Sequence, residues 1–174
     1  MNGESQSGNS SWLRTIAIGR NPLFTLIRII ILVVSTVILF GYVFVAVRIT
    51  GISMAPNYVN GRLNLVNKLA YRKAEPKRGD VVAIRLVGER VVLLKRIIGL
   101  PGERVFMNQT RVYVNGEHLK EHYVKNAIHR SWTGKYWILE KDQYLVIGDN
   151  RQMPMSAHYY EVSNKKNIIG KAVF

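Results

Sequence analysis

The sequence contains no cysteine, which excludes a disulfide framework, a thiolate metal site and a cysteine nucleophile. Acidic residues are also scarce: 11 Asp and Glu stand against 25 Lys and Arg, a formal net charge of +14. Such a surplus favours anionic partners, and for a domain held beside a bilayer the phospholipid headgroups are the simplest of these. It comes with no RNA-binding aromatic motif, zinc-finger spacing or helix-turn-helix pattern, so no nucleic acid is expected as a partner. Convincing helical periodicity is absent after Val47, which argues against an α-helical domain.

What is present begins with a membrane-like run. Residues 2–11 are small and polar and read as a disordered tail. From Ile29 to Val47 there is no charge, and as a helix this run spans roughly 28 Å, close to the hydrocarbon thickness of a bilayer. Thr25, Ser35 and Thr36 can bond back to helix carbonyls. A cleavable signal has a shorter apolar core and a small-residue cleavage site, so an uncleaved anchor is expected. Arg14, Arg20 and Arg28 on the N-terminal flank outvote Arg48 beyond the run, which puts the N-terminus in the cytoplasm. The expected organisation is a cytoplasmic tail over 1–28, one transmembrane helix over 29–47 and an extracytoplasmic domain over 48–174, at the plasma membrane.

Beyond Arg48 come short segments rich in Val, Ile, Leu and Tyr: Leu63–Val66, Asp80–Leu86, Arg90–Ile98, Arg104–Phe106, Arg111–Val114, Tyr136–Leu139, Tyr144–Ile147 and Ile168–Val173. Gly61, Gly79, Gly88, Pro101-Gly102, Asn115-Gly116 and Gly148-Asp149-Asn150 punctuate them. This predicts a mainly β domain of antiparallel sheets, with a hairpin turning at Asn115-Gly116. Residues 120–135 are polar and basic and read as an exposed loop.

Two segments carry chemistry. Thr50-Gly51-Ile52-Ser53-Met54-Ala55-Pro56 places a serine between residues that shape an irregular backbone, just after the apolar run. In the second, a strand over Arg90–Ile98 puts Val91, Leu93, Lys95 and Ile97 on one face. A lysine among such neighbours loses hydration, which lowers its pKa, and only a neutral amine can accept a serine proton. An edge-strand lysine reaching water along its alkyl stem is the other reading of this segment. Ser163-Asn164-Lys165-Lys166 has a Ser-x-x-Lys spacing, but it lacks companion motifs and reads as a polar turn.

The order of four blocks adds to this. Ser53-Met54-x-Pro56 after an N-terminal anchor, Lys77-Arg78-Gly79-Asp80-Val81-Val82, Lys95-Arg96-Ile97-Ile98-Gly99-Leu100-Pro101-Gly102-Glu103 and Gly148-Asp149-Asn150-Arg151 together resemble the type I signal peptidase family over about residues 29–174. The resemblance implies a β-rich fold and a serine endopeptidase that cuts signal peptides from exported preproteins. It makes Ser53 the nucleophile and Lys95 the general base, with no metal or organic cofactor. It also implies that Met54 lines the substrate cleft, that Asp149 and Arg151 brace the site, and that the backbone N–H of Ser53 is the main oxyanion donor, with Thr50 as further help. His118, His122, His129 and His158 then have no required catalytic role.

The chain departs from the family pattern after Gly148-Asp149-Asn150-Arg151. Pro154 stands where the family has a serine that helps position the lysine, and Ser156, Ala157 and His158 stand in place of Asp-Ser-Arg. Ser156 is expected to supply the hydroxyl if Pro154 alters the loop, and His158 to partner a carboxylate. Asn57 replaces a threonine, Arg62 replaces an aspartate, and Gly51 occupies the position where some members carry an oxyanion hydroxyl. Two other readings stand beside the peptidase, which is expected to be a monomer. One is a degenerate assembly factor, and the other a basic lipid-binding or nucleic-acid-binding domain on an anchor.

Overall fold

A computed structural model describes residues 22–85, 92–158 and 162–173. The expected tail over 2–11, Arg14, Arg20, Gly88, Arg90 and Val91 lie outside the described residues. The chain divides into two compact units, Met1–Tyr42 and Val43–Phe174.

In the first unit, α1 (Pro22–Ile38) runs on into a π-helical turn at Leu39–Val43. Pro22 suits the first helical position because its missing N–H would have had no partner there. Ser35 Oγ donates to the Leu32 carbonyl at 3.0 Å, the back-bonding expected of it. No side chain of α1 is buried by protein. The helix from Pro22 to Val43 is long and apolar enough to cross a membrane. The expected helix over 29–47 is thereby corrected at both ends. Arg28 lies inside α1, and Phe44–Arg48 form a strand, β1, pairing Phe44 with Asn67 and Arg48 with Leu63. Apolar character alone cannot separate the end of a spanning helix from a strand that follows it without a charged or glycine-rich break.

The second unit holds two antiparallel sheets. Its further strands are β2 (Leu63–Asn67), β3 (Val81–Arg85), β4 (Val92–Gly99), β5 (Arg104–Met107), β6 (Val112–Val114), β7 (Glu117–Leu119), β8 (Lys135–Ile138), β9 (Gln143–Ile147), β10 (Val162–Asn164) and β11 (Ile168–Ala172). The larger sheet has the order β1-β2-β11-β3-β4-β9-β10 and the smaller β7-β6-β5-β8. The hairpin turns at Asn115 and Gly116, whose φ angles of 52° and 90° match a primed turn.

Between the sheets, Ile98, Leu145 and Ile147 pack with Val105, Met107, Val112 and Val114. Gly99 permits this packing, since a Cβ there would lie 2.6 Å from Leu139 Cδ1 and 2.8 Å from Val105 Cγ2. Residues 120–135 are not a free loop. Trp132 is fully buried in this core, with Tyr123 and Ile128 packed against it, and its Nε1–H donates to the Met153 carbonyl at 2.9 Å. The Ser163 motif is likewise not a turn at its start: Ser163 is buried on β10.

Candidate active site

Ser53 sits in a tight turn closed by the Ala55 N–H, which donates to the Ile52 carbonyl at 3.0 Å. Gly51 enters that turn at φ 91°, a conformation an L side chain would strain, so the missing hydroxyl at this position follows from the backbone. Asn150 holds the turn from outside: its N–H donates to the Ser53 carbonyl at 2.9 Å and its Nδ2 to the Ile52 carbonyl at 3.1 Å. Beside them, the Ser53 carbonyl oxygen and His158 Cε1 lie 2.2 and 2.9 Å from where a Gly148 Cβ would stand. The serine turn and the imidazole therefore both close on Gly148.

Lys95 reaches this cluster from the middle of β4, opposite Val82 of β3. It is 2% exposed, and its Nζ lies 3.5 Å from His158 Nδ1. Loss of hydration lowers its pKa from 10.5 to about 8. Among the described residues no hydrogen bond joins the Ser53 hydroxyl directly to Lys95. The apposition runs instead through His158 and Gly148.

Asp149 and Arg151 brace the cluster through separate partners. Asp149 takes two hydrogen bonds from Arg96, Nε to Oδ1 at 2.8 Å and Nη2 to Oδ2 at 2.6 Å, and a third from Asn57 Nδ2 at 2.8 Å. That pairing and the nearby Tyr123 and Tyr58 hold the Arg96 pKa up against burial. Tyr123 also stacks under the guanidinium, 4.1 Å from ring centroid to Cζ. Arg151 donates Nε–H to the Gly148 carbonyl at 2.8 Å and pairs with Glu121 at 2.6 Å. Asn57, one of the departures from the family pattern, thus ties the serine turn to Asp149, and Glu121 supplies the carboxylate for the arginine.

Met54 is buried among Ile49, Val66, Val81, Ala83, Leu94 and Ala172. With Ser53 and the exposed Thr50 it also borders a small hollow closed by Val92, Leu93 and Leu94. The Ser53 N–H donates to no backbone carbonyl among the described residues.

Ser156 is not brought to the lysine. Pro154 opens a 3-10 turn over Met155–Ala157 that leaves Ser156 exposed and carries His158 inward. The inward ring meets Lys95 rather than the expected carboxylate, and it packs edge-on against Trp132 at 4.9 Å between centroids. Arg96, Asn150 and Glu121 are site residues that the sequence does not single out, and His158 takes a different partner from the one expected of it. Arg96 and Asn150 lie inside the four family-like blocks, whereas nothing near Glu121 marks it.

An apolar helix and two antiparallel sheets, with a serine turn against Gly148 and a buried lysine against His158, define a β-sheet protein that bears an apolar helix. The chain belongs to the signal peptidase, peptidase S26 family, whose profile matches residues 23–174. It is similar to a probable signal peptidase I-2 of Synechocystis sp., 36% identical over 127 residues, covering 69% of this chain and 57% of the relative. A signal peptidase I of Leptolyngbya laminosa is 35% identical over 130 residues, 70% of this chain and 63% of that protein. The chain thus spans less than two thirds of either of these two relatives. A signal peptidase I of Bacillus licheniformis is 33% identical over 165 residues, 89% of each chain. A solved signal peptidase I of Enterococcus faecalis aligns with a TM-score of 0.47 and 25% identity, over 56% of this chain and 96% of that one.

Proposed function

We propose that the protein is a membrane-anchored serine endopeptidase that removes signal peptides from exported preproteins. Ser53 is the nucleophile and Lys95 its general base. The observation that carries this reading is the buried amine of Lys95, with a pKa lowered to about 8, in the same cluster as the serine turn.

The chemistry follows from the protonation states. Neutral Lys95 takes the Ser53 hydroxyl proton as Oγ attacks the scissile carbonyl. The resulting ammonium returns that proton to the leaving amine, and the amine then activates the water that frees the acyl group. The Ser53 N–H supports the oxyanion, with Thr50 at the rim of the same hollow. Removing a donor of this kind costs about 2.7–4 kcal/mol of transition-state stabilisation. No cofactor takes part in these steps.

The same reading makes α1 an anchor in the plasma membrane, with the N-terminus in the cytoplasm and a monomeric β domain outside, facing anionic headgroups. Ser53 follows the apolar helix closely in sequence, as suits a substrate whose own signal helix is in the bilayer.

The test is cleavage of a preprotein by the full chain in detergent or liposomes, comparing wild type with Ser53→Ala and Lys95→Ala. Both variants should fold and lose activity. Turnover at the wild-type rate by either one would remove the assignment.

A further inference from the structure

We propose that His158 is a positioning residue for Lys95: its Nδ1 accepts an N–H of the lysine amine and turns the amine lone pair toward Ser53. The inference rests on the serine–lysine reading above and concerns a residue that reading leaves without a role.

The geometry is specific. Lys95 Nζ is buried, and its contact in hydrogen-bonding range is His158 Nδ1 at 3.5 Å. The same imidazole packs on Gly148, the glycine that the Ser53 carbonyl also approaches. Trp132 fixes the ring by an edge-on contact at 4.9 Å, and the 3-10 turn after Pro154 delivers it. The role a serine would fill at position 154 thus has a physical substitute four residues on.

The direction of the hydrogen bond follows from the chemistry. If His158 donated to the neutral amine, it would occupy the one lone pair that must take the Ser53 proton. The productive arrangement therefore has Lys95 as donor and Nδ1 as acceptor, which leaves the ring proton on Nε2. Nε2 is enclosed without a partner in hydrogen-bonding geometry.

His158 must also stay neutral, because an imidazolium has no acceptor to offer. Desolvation, with the charges of Lys95 and Arg151, lowers its pKa from 6.5 to about 3, against a smaller opposing contribution from the Asn150 backbone. Arg151 is itself paired with Glu121, and Asp149 is held by Arg96. The ring is thus an acceptor throughout the pH range in which Lys95 titrates.

The experiment uses the full chain in detergent and a preprotein substrate, and measures kcat, KM and the pH profile for wild type, His158→Phe and His158→Asn. Phenylalanine keeps the packing on Trp132 but removes the acceptor, whereas asparagine places a carbonyl near the Nδ1 position. Misplacing a catalytic group by about 1 Å can cost about a hundredfold, so kcat of His158→Phe should fall by about ten- to a hundredfold with KM little changed. Its acidic limb should move to lower pH, because the ammonium loses a partner that the neutral amine needs less. His158→Asn should recover most of kcat and return the limb.

In the wild-type protein, 15N NMR of His158 should show an unprotonated Nδ1 across the active range. Wild-type kinetics in His158→Phe, an unmoved limb with no rescue by asparagine, or a protonated Nδ1 would each overturn the proposal. If Lys95→Ala is itself active, the serine–lysine reading fails first, and that outcome is distinct from all three.

Discussion

A Cβ on Gly148 would lie 2.2 Å from the carbonyl oxygen of Ser53. The atom in the way belongs to backbone that is fixed by Asn150 and closed into a turn, so it cannot swing aside as a side-chain tip would. The glycine that follows β9 therefore sets how closely the serine turn approaches the sheet. Gly148→Ala should displace Ser53, cut kcat/KM by about a hundredfold and lower stability by about 1–3 kcal/mol, the range for overpacked sites. Preprotein cleavage and thermal denaturation check both effects, and an active, equally stable variant would contradict the packing argument.

Much of this site is legible in the sequence because its short blocks each do a local job. Glycine at 79 lets the Gly79 N–H donate to the Ile97 carbonyl, and Arg78 reaches from that turn to Glu103 at the start of β5. Lys95 is readable as buried because Leu93 and Ile97 share its strand face. The helix end was less legible, since Phe44, Val45 and Val47 suit lipid and a strand equally well. Glu121 and Trp132 were hidden by the polar composition around them, where one buried aromatic and one paired carboxylate decide the fold of the segment. His158 depended on the turn after Pro154, and nothing local announces which way such a turn sends the next ring.

Glu121 and Arg151 offer a test of that hidden segment. Arg151 is fully buried and Glu121 nearly so, and the guanidinium also holds the Gly148 carbonyl. Breaking one side of a buried pair leaves an uncompensated charge and costs about 3–5 kcal/mol. Glu121→Gln should be destabilised on that scale, while Glu121→Gln with Arg151→Met should lose less than Glu121→Gln alone. Urea denaturation of both variants decides the point, and a double variant less stable than Glu121→Gln would show that the buried charge is not what the substitution leaves uncompensated.

The pH dependence of cleavage separates the two candidate bases. Lys95 works only as the free amine, so kcat/KM should fall as pH drops through about 8. A His158 base, with its pKa lowered to about 3, would leave activity nearly flat across the neutral range. The profile should therefore show an acidic limb near pH 8. A flat profile between pH 5 and 9 would exclude the lysine.

Lys95 also carries a stability prediction whose sign is opposite to its importance for activity. Its folded pKa of about 8 lies below its ordinary value of 10.5, so between those limits the unfolded chain binds more protons than the native protein. Stability is then fullest above about pH 10.5, declines as pH falls toward 8, and below that stays at a constant penalty of about 3 kcal/mol for burying the ammonium. Methionine fills a similar volume without the charge, so Lys95→Met should abolish cleavage yet unfold at a temperature several degrees higher than wild type at pH 7. The gain should shrink as pH rises toward 10.5, where the wild-type amine is neutral in both states. Scanning calorimetry of the two proteins at pH 7 and at pH 10 reads the difference directly. A less stable Lys95→Met at pH 7 would mean that the amine is compensated in the fold, and the desolvation argument for its lowered pKa would fall with it.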